Sequence, residues 1–587
     1  MSFAPVFLSI DCGSSESYTD ENSIEWVGDD AYIQNGESKV VQFSSSEAYP
    51  MSTLRVFPTG QKKSCYTIKV DEGERVLVRA SFNYDNYDGK LSPPTFDLQF
   101  DGNFWATVNT STTFRVISHE AIYVVKRNFT SICVAQTHPG QLPFISALEI
   151  RSLDANMYGS VPPNFALLLV VRAALGANET NIRYPVDPYD RIWEAATGAF
   201  GLTTVSNEAS SIKVTTPPDN PPPLVLQNAV TSSSTLIGIN IITKLPEKPT
   251  PFFMATYFSE VTQLGSGQKR SFKLFIDSKA VSASIVPTFG GASEVYIANR
   301  IASASNQISL LADDDSTLPP LINAMEVYTL SGELTNGTNA KDVVGLGLLQ
   351  NGFEVLKGWS GDPCLPSPYS WDWIDCNSDD MPRVTAVNLS GYDLAGSVPD
   401  FSSMDALQTI DLSDNNLDGS IPDFLGTFPN LALLNLSNNR FTGPIPSSLL
   451  KNKKLKLLVT GNCLNATSCP ASPPKSSQTS SPSSPPTPDL PAPSPSLTSP
   501  TRKSPATPKT SPTTNPTTPS PTNKGPSPTT TATKQVETPP TPSSTENETP
   551  PLAFQNTSDF IVNNKLAMTL GVLIQLLVSL SVLIGRF

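Results

Sequence analysis

The sequence predicts a mainly β protein: two β-sandwiches in tandem, a short solenoid, a stalk with no core of its own and an apolar tail. Three observations predict it. The first is a repeat of 23 to 24 residues between positions 384 and 469. Val384, Val387, Leu389, Leu394, Gly396, Val398 and Pro399 form one copy. Leu407, Ile410, Leu412, Asn415, Leu417, Gly419, Ile421 and Pro422 form the next, and Leu431, Leu434, Leu436, Asn439, Phe441, Gly443, Ile445 and Pro446 a third. This is the leucine-rich repeat, whose apolar positions fill a solenoid core while the Asn amide satisfies turn backbone. A decaying fourth copy is expected to keep Leu455 and Leu458, with Cys463 at the Asn position. The second observation is a series of short Val-, Ile-, Tyr- and Phe-rich runs bounded by Gly, Pro, Asn and Asp, without long 3.6-residue periodicity. The third is a duplicated segment. Residues 143–153 align without gaps to residues 320–330, with Pro, Ile, Ala, Glu and Leu identical at five positions. The offset is one domain length, so each sandwich is expected to close on the same strand.

Composition narrows the function classes. Charged residues make up 16%, the formal net charge is −14 and Pro is high at 55 residues. No nucleic-acid partner is expected from a chain this acidic. Seven Cys are spread thinly, and the two His, His119 and His138, read as surface or loop residues. No Cys or His cluster has metal-ligand spacing, and no cofactor is implied. Asn109, Asn128, Asn178, Asn336, Asn388, Asn435, Asn465, Asn547 and Asn556 start Asn-x-Ser/Thr sequons. Together with the repeat they favour a secretory route and make Asn109, Asn128, Asn178, Asn336, Asn388, Asn435, Asn465 and Asn547 glycosylation candidates. Residues 1–8 are too short for a signal peptide and lack a basic n-region, so the secretory start is expected to be missing from this sequence.

In chain order, residues 6–153 read as the first sandwich, with Arg75-Val76-Leu77-Val78-Arg79-Ala80 and Ala121-Ile122-Tyr123-Val124-Val125 as typical strands. Residues 154–177 connect it to the second, residues 178–345, where Ser271-Phe272-Lys273-Leu274-Phe275-Ile276-Asp277 alternates with period two. Ile10-Asp11-Cys12-Gly13, Leu54-Arg55-Val56-Phe57-Pro58, Cys65-Tyr66, the run from Phe82 to Gly89, the run from Arg183 to Trp193, Tyr257-Phe258-Ser259-Glu260 and Arg270-Ser271-Phe272 occur in that order. In this they resemble plant malectin-like ectodomains over roughly residues 6 to 345. The resemblance implies tandem malectin-like β-sandwiches on a cell-surface protein of the kind carried by receptor kinases, with a secreted peptide or wall carbohydrate as ligand. Trp359-Ser360-Gly361-Asp362-Pro363-Cys364 resembles the junction that precedes the repeats in malectin-like receptors. From it follow a junction and N-terminal cap over residues 346–383 and repeats with a C-terminal cap over 384–469. The caps are expected to be stapled by disulfides Cys364–Cys376 and Cys463–Cys469. Cys12, Cys65 and Cys133 remain, so at least one is unpaired or pairs between chains. Trp359, Trp371 and Trp373 read as cap core. The Gly-x-Ile-Pro ending resembles the plant extracellular repeat class.

Residues 470–550 are Pro, Ser and Thr with almost no apolar content, an extended disordered stalk. Residues 551–565 form a spacer, and 566–584 an apolar tail just long enough to span a bilayer. Small residues from Asn556 followed by the spacer and tail fit a GPI signal with attachment at Asn556, preferred to a retained single-pass helix.

Two stretches carry candidate chemistry. Tyr84, Asp85, Tyr87 and Asp88 could stack on and hydrogen-bond a sugar, or serve as a strand-connecting turn. Residues 183–193 read as a fold-stabilising cluster of Arg and Asp near prolines. The expected function is cell-surface recognition: binding of a wall carbohydrate or secreted peptide, with the signal passed to a transmembrane co-receptor kinase from the outer face of the plasma membrane. No catalytic residues are expected. A glycoside hydrolase would need two carboxylates at fixed separation, and a wall–membrane tether is the other alternative. The concave face of the repeats, at Asn388, Asp411 and Asn435, is expected to be blocked by glycans on its two sequons, which makes the solenoid a connector.

Overall fold

The structure, a computed structural model, describes residues 5–464 except 43–48, 59, 112–115, 178–179, 197–200 and 216. Eight strands form the antiparallel body of an eleven-stranded sheet that runs through both sandwiches: β1 (Phe7–Asp11), β2 (Arg75–Phe82), β3 (Ile117–Val124), β4 (Ala147–Ser152), β5 (Leu167–Leu175), β6 (Thr250–Phe258), β7 (Ser293–Ala302) and β8 (Ala324–Leu330). Their order across the sheet is β1-β4-β2-β3-β5-β8-β6-β7, so the second half repeats the first with every number raised by four. The halves join where β3 pairs β5, Ala121 opposite Leu168 and Ile122 opposite Leu167. The duplicated segment takes the same place in each. Leu148 pairs with Ile10 and Ala80, and Met325 with Ala173 and Thr256.

A second layer covers each half. In the first it comprises Lys63–Lys69, Phe129–Gln136, Thr95–Phe100 and Asn103–Asn109, and in the second Ile239–Ile241, Ile308–Ala312, Phe272–Ile276 and Lys279–Ala280, in the same pairing order. Period-two alternation divides each strand between two environments. Val76, Val78, Ala80 and Phe82 of β2 enter the first inter-sheet core, with Tyr66, Phe96 and Val134 from the facing layer. Phe252, Met254, Leu274 and Leu310 do the same in the second. The other face of the sheet is also buried. Leu77, Ile122, Leu167, Phe253 and Tyr328 pack there against Met157, Tyr158, Trp193 and Leu226 from the connecting segments.

The repeats form a parallel ladder of β9 (Val384–Asn388), β10 (Thr409–Asp411), β11 (Leu433–Asn435) and β12 (Lys456–Leu458). Asn415 donates to the carbonyls of Leu389 (2.7 Å) and Leu412 (3.1 Å) and accepts the Leu394 N–H at 2.9 Å. Asn439 repeats this one turn on. The fourth copy differs from expectation by one residue. Leu457 stands in register with Leu434, so Leu457 rather than Leu458 faces inward. Asn462, not Cys463, holds the ladder, donating to the carbonyls of Leu436 and Val459 and accepting from Phe441.

Helix α1 (Ala340–Gly352), capped by the Asn339 side chain, and Trp359, Trp371 and Trp373 close the N-terminal end of the solenoid core. A disulfide joins Cys364 to Cys376. The same segment is clamped onto the first sandwich. Lys63 Nζ donates to the carbonyls of Asp362 (2.5 Å) and Leu365 (2.6 Å), and Ser360 donates to the Cys65 carbonyl at 2.9 Å. Gly361 sits at φ +74, where a Cβ would lie 2.3 Å from Cys65 Sγ. Cys65 itself is bonded to Cys133. Cys12 is a free thiol, fully buried and so out of reach of another chain.

Cys463 is disulfide-bonded, and its expected partner Cys469 lies outside the described residues. Also outside them are Asn178, Asn465, Asn547, Asn556, the 470–550 stalk, the 551–565 spacer and the 566–584 tail. Among the described residues no helix is long and apolar enough to cross a membrane.

Candidate functional site

Seven strands of the sheet, β2 to β8, each place a charged or polar side chain in one row across it. Glu149 on β4 meets Arg79 on β2 (3.2 Å), and Arg79 meets Glu120 on β3 (2.8 Å). Arg172 on β5 then bonds Glu120 and Glu326 of β8, each at 2.6 Å. Tyr257 on β6 donates to Glu326 at 2.7 Å, and Glu294 on β7 stands opposite Tyr257. The row therefore alternates in sign from Glu149 to Glu326 and crosses the junction between the halves.

Residues 183–193 lie over this row. Asp190 is fully buried and accepts from Arg183 (2.8 Å) and Arg151 (2.7 Å). Asp187 accepts from Arg191 and Trp193, each at 2.8 Å. Burial opposes the Asp190 charge, but Arg79, Arg183 and Arg151 outweigh it and hold its pKa well below the usual range. Glu326 is likewise buried, yet Arg172 and Arg191 hold its pKa down. At the far end the compensation fails. Asp219, in the loop before Pro221, gives its N–H to the Glu294 carboxyl at 3.2 Å. Burial, then the neighbouring Asp219 charge, push Glu294 up to about 9.

Where residues 183–193 leave the row uncovered, a groove of about 730 Å³ opens, within the size range of ligand clefts. Trp26, Met51, Val116 and Ile192 give it apolar walls. Ser81, Ser118, Asn181 and Arg183 supply hydrogen-bonding groups, and Asp20 stands at the rim with the Trp26 indole N–H bonded to it at 3.0 Å. Arg79 and Glu149 also line it but are committed to each other, as Arg183 is to Glu149 and Asp190, while the Ser81 and Ser118 hydroxyls bond one another at 2.8 Å. The groove can hold a polar, largely uncharged chain between apolar walls.

Of the two readings of the loop at residues 84–88, the structure builds the turn. Tyr84 is 1% exposed, and its ring packs edge-on to Tyr87, which in turn lies against Phe144 of the core. Its hydroxyl donates to Asp88 at 2.7 Å and accepts the Ser92 N–H. Asp85 is buried at positive φ, followed by Asn86 and Gly89, also at positive φ. This is the turn reading: Tyr84 and Asp85 offer no face to a ligand, and Tyr87 and Asp88 are half-buried supports of the turn. His119 also departs from expectation. It lies in β3, half-buried beside Phe82, and burial lowers its pKa. Asn109, Asn128, Asn336 and Asn388 are exposed and Asn435 half-buried. On the solenoid's strand ladder Asn388, Asp411 and Asn435 stand in one row, Asn435 donating to Asp411 at 3.1 Å.

Glu120, Arg172, Asn181, Asp219 and Glu294 were not singled out by sequence. A signal was present: an Arg or Glu inside otherwise apolar runs such as Leu169-Val170-Val171-Arg172-Ala173, and the Glu shared by the duplicated segments, which is Glu149 and Glu326.

A malectin-like domain model matches residues 10–330, and a leucine-rich-repeat model matches 406–428 and 430–452. An uncharacterized protein of Arabidopsis thaliana is 40% identical over 338 residues, 57% of this chain and 66% of that one. A receptor-like protein kinase of the same plant is 34% identical over 407 residues, 67% of this chain and 44% of that one. The chain thus spans about half the length of the receptor-kinase relatives it matches. Among solved structures, the Arabidopsis ANX2 ectodomain shares 16% identity at a TM-score of 0.47, covering 56% of this chain and 97% of that one. The complex of the plant peptide RALF23 with FER and LLG2 aligns at 16% identity and a TM-score of 0.46, covering 56% and 96%.

Proposed function

Because this chain belongs to the malectin-like domain family and carries leucine-rich repeats behind that domain, we propose that it is a receptor-like recognition protein of the plant cell surface. It binds a wall carbohydrate or a secreted peptide in the groove between the first sandwich and the segment of residues 181–192, and signals through a partner kinase. The observation that carries this reading is the groove itself: apolar walls, the exposed Ser118 and Asn181 side chains, and a floor charge row already neutralised from within. The receptor-like kinase names of its relatives support the signalling context.

The reading is of binding rather than hydrolysis. Glu120 and Glu149 are each held by arginine. Glu294 accepts the Asp219 N–H, and neither of these two carboxyl residues lines the groove, where a glycosidase would need a pair to flank the scissile bond. Attachment to the outer face of the plasma membrane through a GPI group at Asn556 belongs to the same proposal. Release of the full-length protein from membranes by a phosphatidylinositol-specific phospholipase tests it, and retention after treatment rejects it.

The binding test is a parallel screen of wall oligosaccharides and secreted peptides against the full chain, followed by Ser118→Ala and Asn181→Ala. Each substitution is expected to weaken binding about tenfold, the equivalent of one hydrogen bond to a ligand, while Tyr84→Phe leaves it unchanged. Loss on Tyr84→Phe with no effect in the groove would return the site to the turn.

A further inference from the structure

The two sandwiches match place for place, and at one corner of the inter-sheet core they differ in kind. In the first, Asp29, Arg55 and Tyr66 are buried together there. Arg55 bonds Asp29 at 2.6 Å, and the Tyr66 hydroxyl donates to Asp29 at 2.8 Å. Strand pairing fixes their counterparts in the second. Val27 lies beside Ile10 and Glu194 beside Ala173, and Ile10 and Ala173 stand opposite the equivalent residues Leu148 and Met325. Asp29 therefore corresponds to Ala196. Arg55 pairs with Ile145 and Val230 with Ile322, again equivalent residues of the duplicated segment. The outer layers are matched by their hairpins, whose turns Asp101-Gly102 and Asp277-Ser278 sit between corresponding strands, with Asp101, Gly102, Asp277 and Ser278 all at positive φ. From those turns Phe100, Ile132 and Tyr66 line up across one layer, as Ile276, Ile308 and Ile241 do across the other. Tyr66 thus corresponds to Ile241.

Ala196, Val230 and Ile241 carry neither charge nor hydroxyl, and they do not close the corner. A cavity of about 220 Å³ opens among them. Val171, Ala173 and Met325 line it from β5 and β8, and Ile239 from the outer layer. Leu175 and Leu202, at the places of Cys12 and Gly36, are larger than their counterparts, yet both stay half-buried and the space remains. The polar members of the lining are Glu194, Asn240 and Lys244, all exposed at the mouth beside Ile242. With one charge of each sign, the mouth selects no ionic group. Among the described residues the cavity shares no lining residue with the groove on the first sandwich.

Such a wall gives water few partners, and leaving it unfilled forfeits packing on every side. A sugar fares no better, because its hydroxyls would lose water and gain no hydrogen bond inside.

We propose that this cavity is a second binding site, for a small uncharged apolar molecule that enters past Ile242 and leaves any hydroxyl or amide at the mouth. An apolar cavity of about 150 Å³ takes benzene, so this one takes a ring or short aliphatic chain of about nine non-hydrogen atoms. Its occupant is separate from the ligand of the groove.

Indole is the probe. Titrated calorimetrically into the full chain, it should bind at one saturable site and raise the Tm. Ala196→Phe fills the cavity and should lose that binding while the unliganded protein keeps its Tm. Val230→Phe fills it from a different strand and replaces Ala196→Phe should that variant fail to fold. Ser118→Ala and Asn181→Ala, in the groove, should bind indole as the wild type does. If neither filled variant folds, proton contacts between indole and the Val171, Val230 and Ile322 methyls of the wild type decide, and contacts confined to other residues overturn the proposal. So does an absence of saturable binding to the wild type, binding unchanged in a folded cavity-filled variant, or its loss in the groove variants. Carbohydrate or peptide binding in the groove should be the same in Ala196→Phe as in the wild type, so failure at one site leaves the test of the other intact.

Discussion

The two sandwiches share a strand plan but differ in what covers their outer layers. In the first, Lys63–Lys69 and Phe129–Gln136 are tied by Cys65–Cys133, and the junction segment sits on that disulfide through Ser360, Gly361 and Lys63. In the second, the matching strands Ile239–Ile241 and Ile308–Ala312 are linked by pairing alone, and no Cys occurs between 134 and 363. Leu311 packs where Gly238 leaves room, a Cβ there lying 2.3 Å from it. Leu236 and Ile242 stand 95% and 66% exposed. The strand at the sheet edge differs too: β3 is covered by β5, while its counterpart β7 is the last strand in the order. One copy of the duplicated unit has become a mount for the solenoid, and the other has kept open surfaces.

That contrast can be broken at graded cost. The largest loss is expected from Arg172→Met, which strands Glu120 and Glu326 in the shared row. About 3–5 kcal/mol should disappear from chemical denaturation of the protein, since removing one partner leaves buried charge uncompensated. Next, Cys65→Ser with Cys133→Ser opens a loop of 68 residues and should cost about 2–4 kcal/mol. Hydrogen exchange should then accelerate in the first sandwich and not in the second. Gly361→Val meets both the positive φ and Cys65 Sγ and should cost about 1–3 kcal/mol. Limited proteolysis should show new cleavage between the first sandwich and the repeats. At the bottom of the scale, Leu236→Asp and Ile242→Lys should shift stability by no more than about 0.5 kcal/mol. A larger loss in thermal melts would show that the second outer layer is covered after all.

Much of this architecture was legible beforehand, and the failures have physical reasons. Strand runs and the duplicated segment marked out the repeated plan, because period-two burial and a closing strand leave a local imprint. The fourth repeat slipped by one because Leu457 and Leu458 are both apolar. Only the bonds of Asn462 to Leu436 and Val459 distinguish the register. The charge row was hidden for another reason. Arg172 meets Glu120 across 52 positions and Glu326 across 154, and no window of sequence sees both. At Tyr84 composition suggested a sugar platform, but composition does not say which way a ring turns. Here it turns inward, toward Tyr87 and Phe144.

After β8 the chain does not leave from the second sandwich. It runs back over the first, where Lys126 holds the Leu334 and Thr335 carbonyls and Arg127 those of Asn336 and Thr338, before α1 begins. In mechanical terms, the load path from the solenoid ends in the first sandwich. A pull on the repeats would be borne by these clamps and by the Cys65–Cys133 staple, and the second sandwich would hang from the shared sheet as an unloaded arm. Tension would then run through the same half of the sheet that lines the groove, with the other half joined to it where β3 pairs β5.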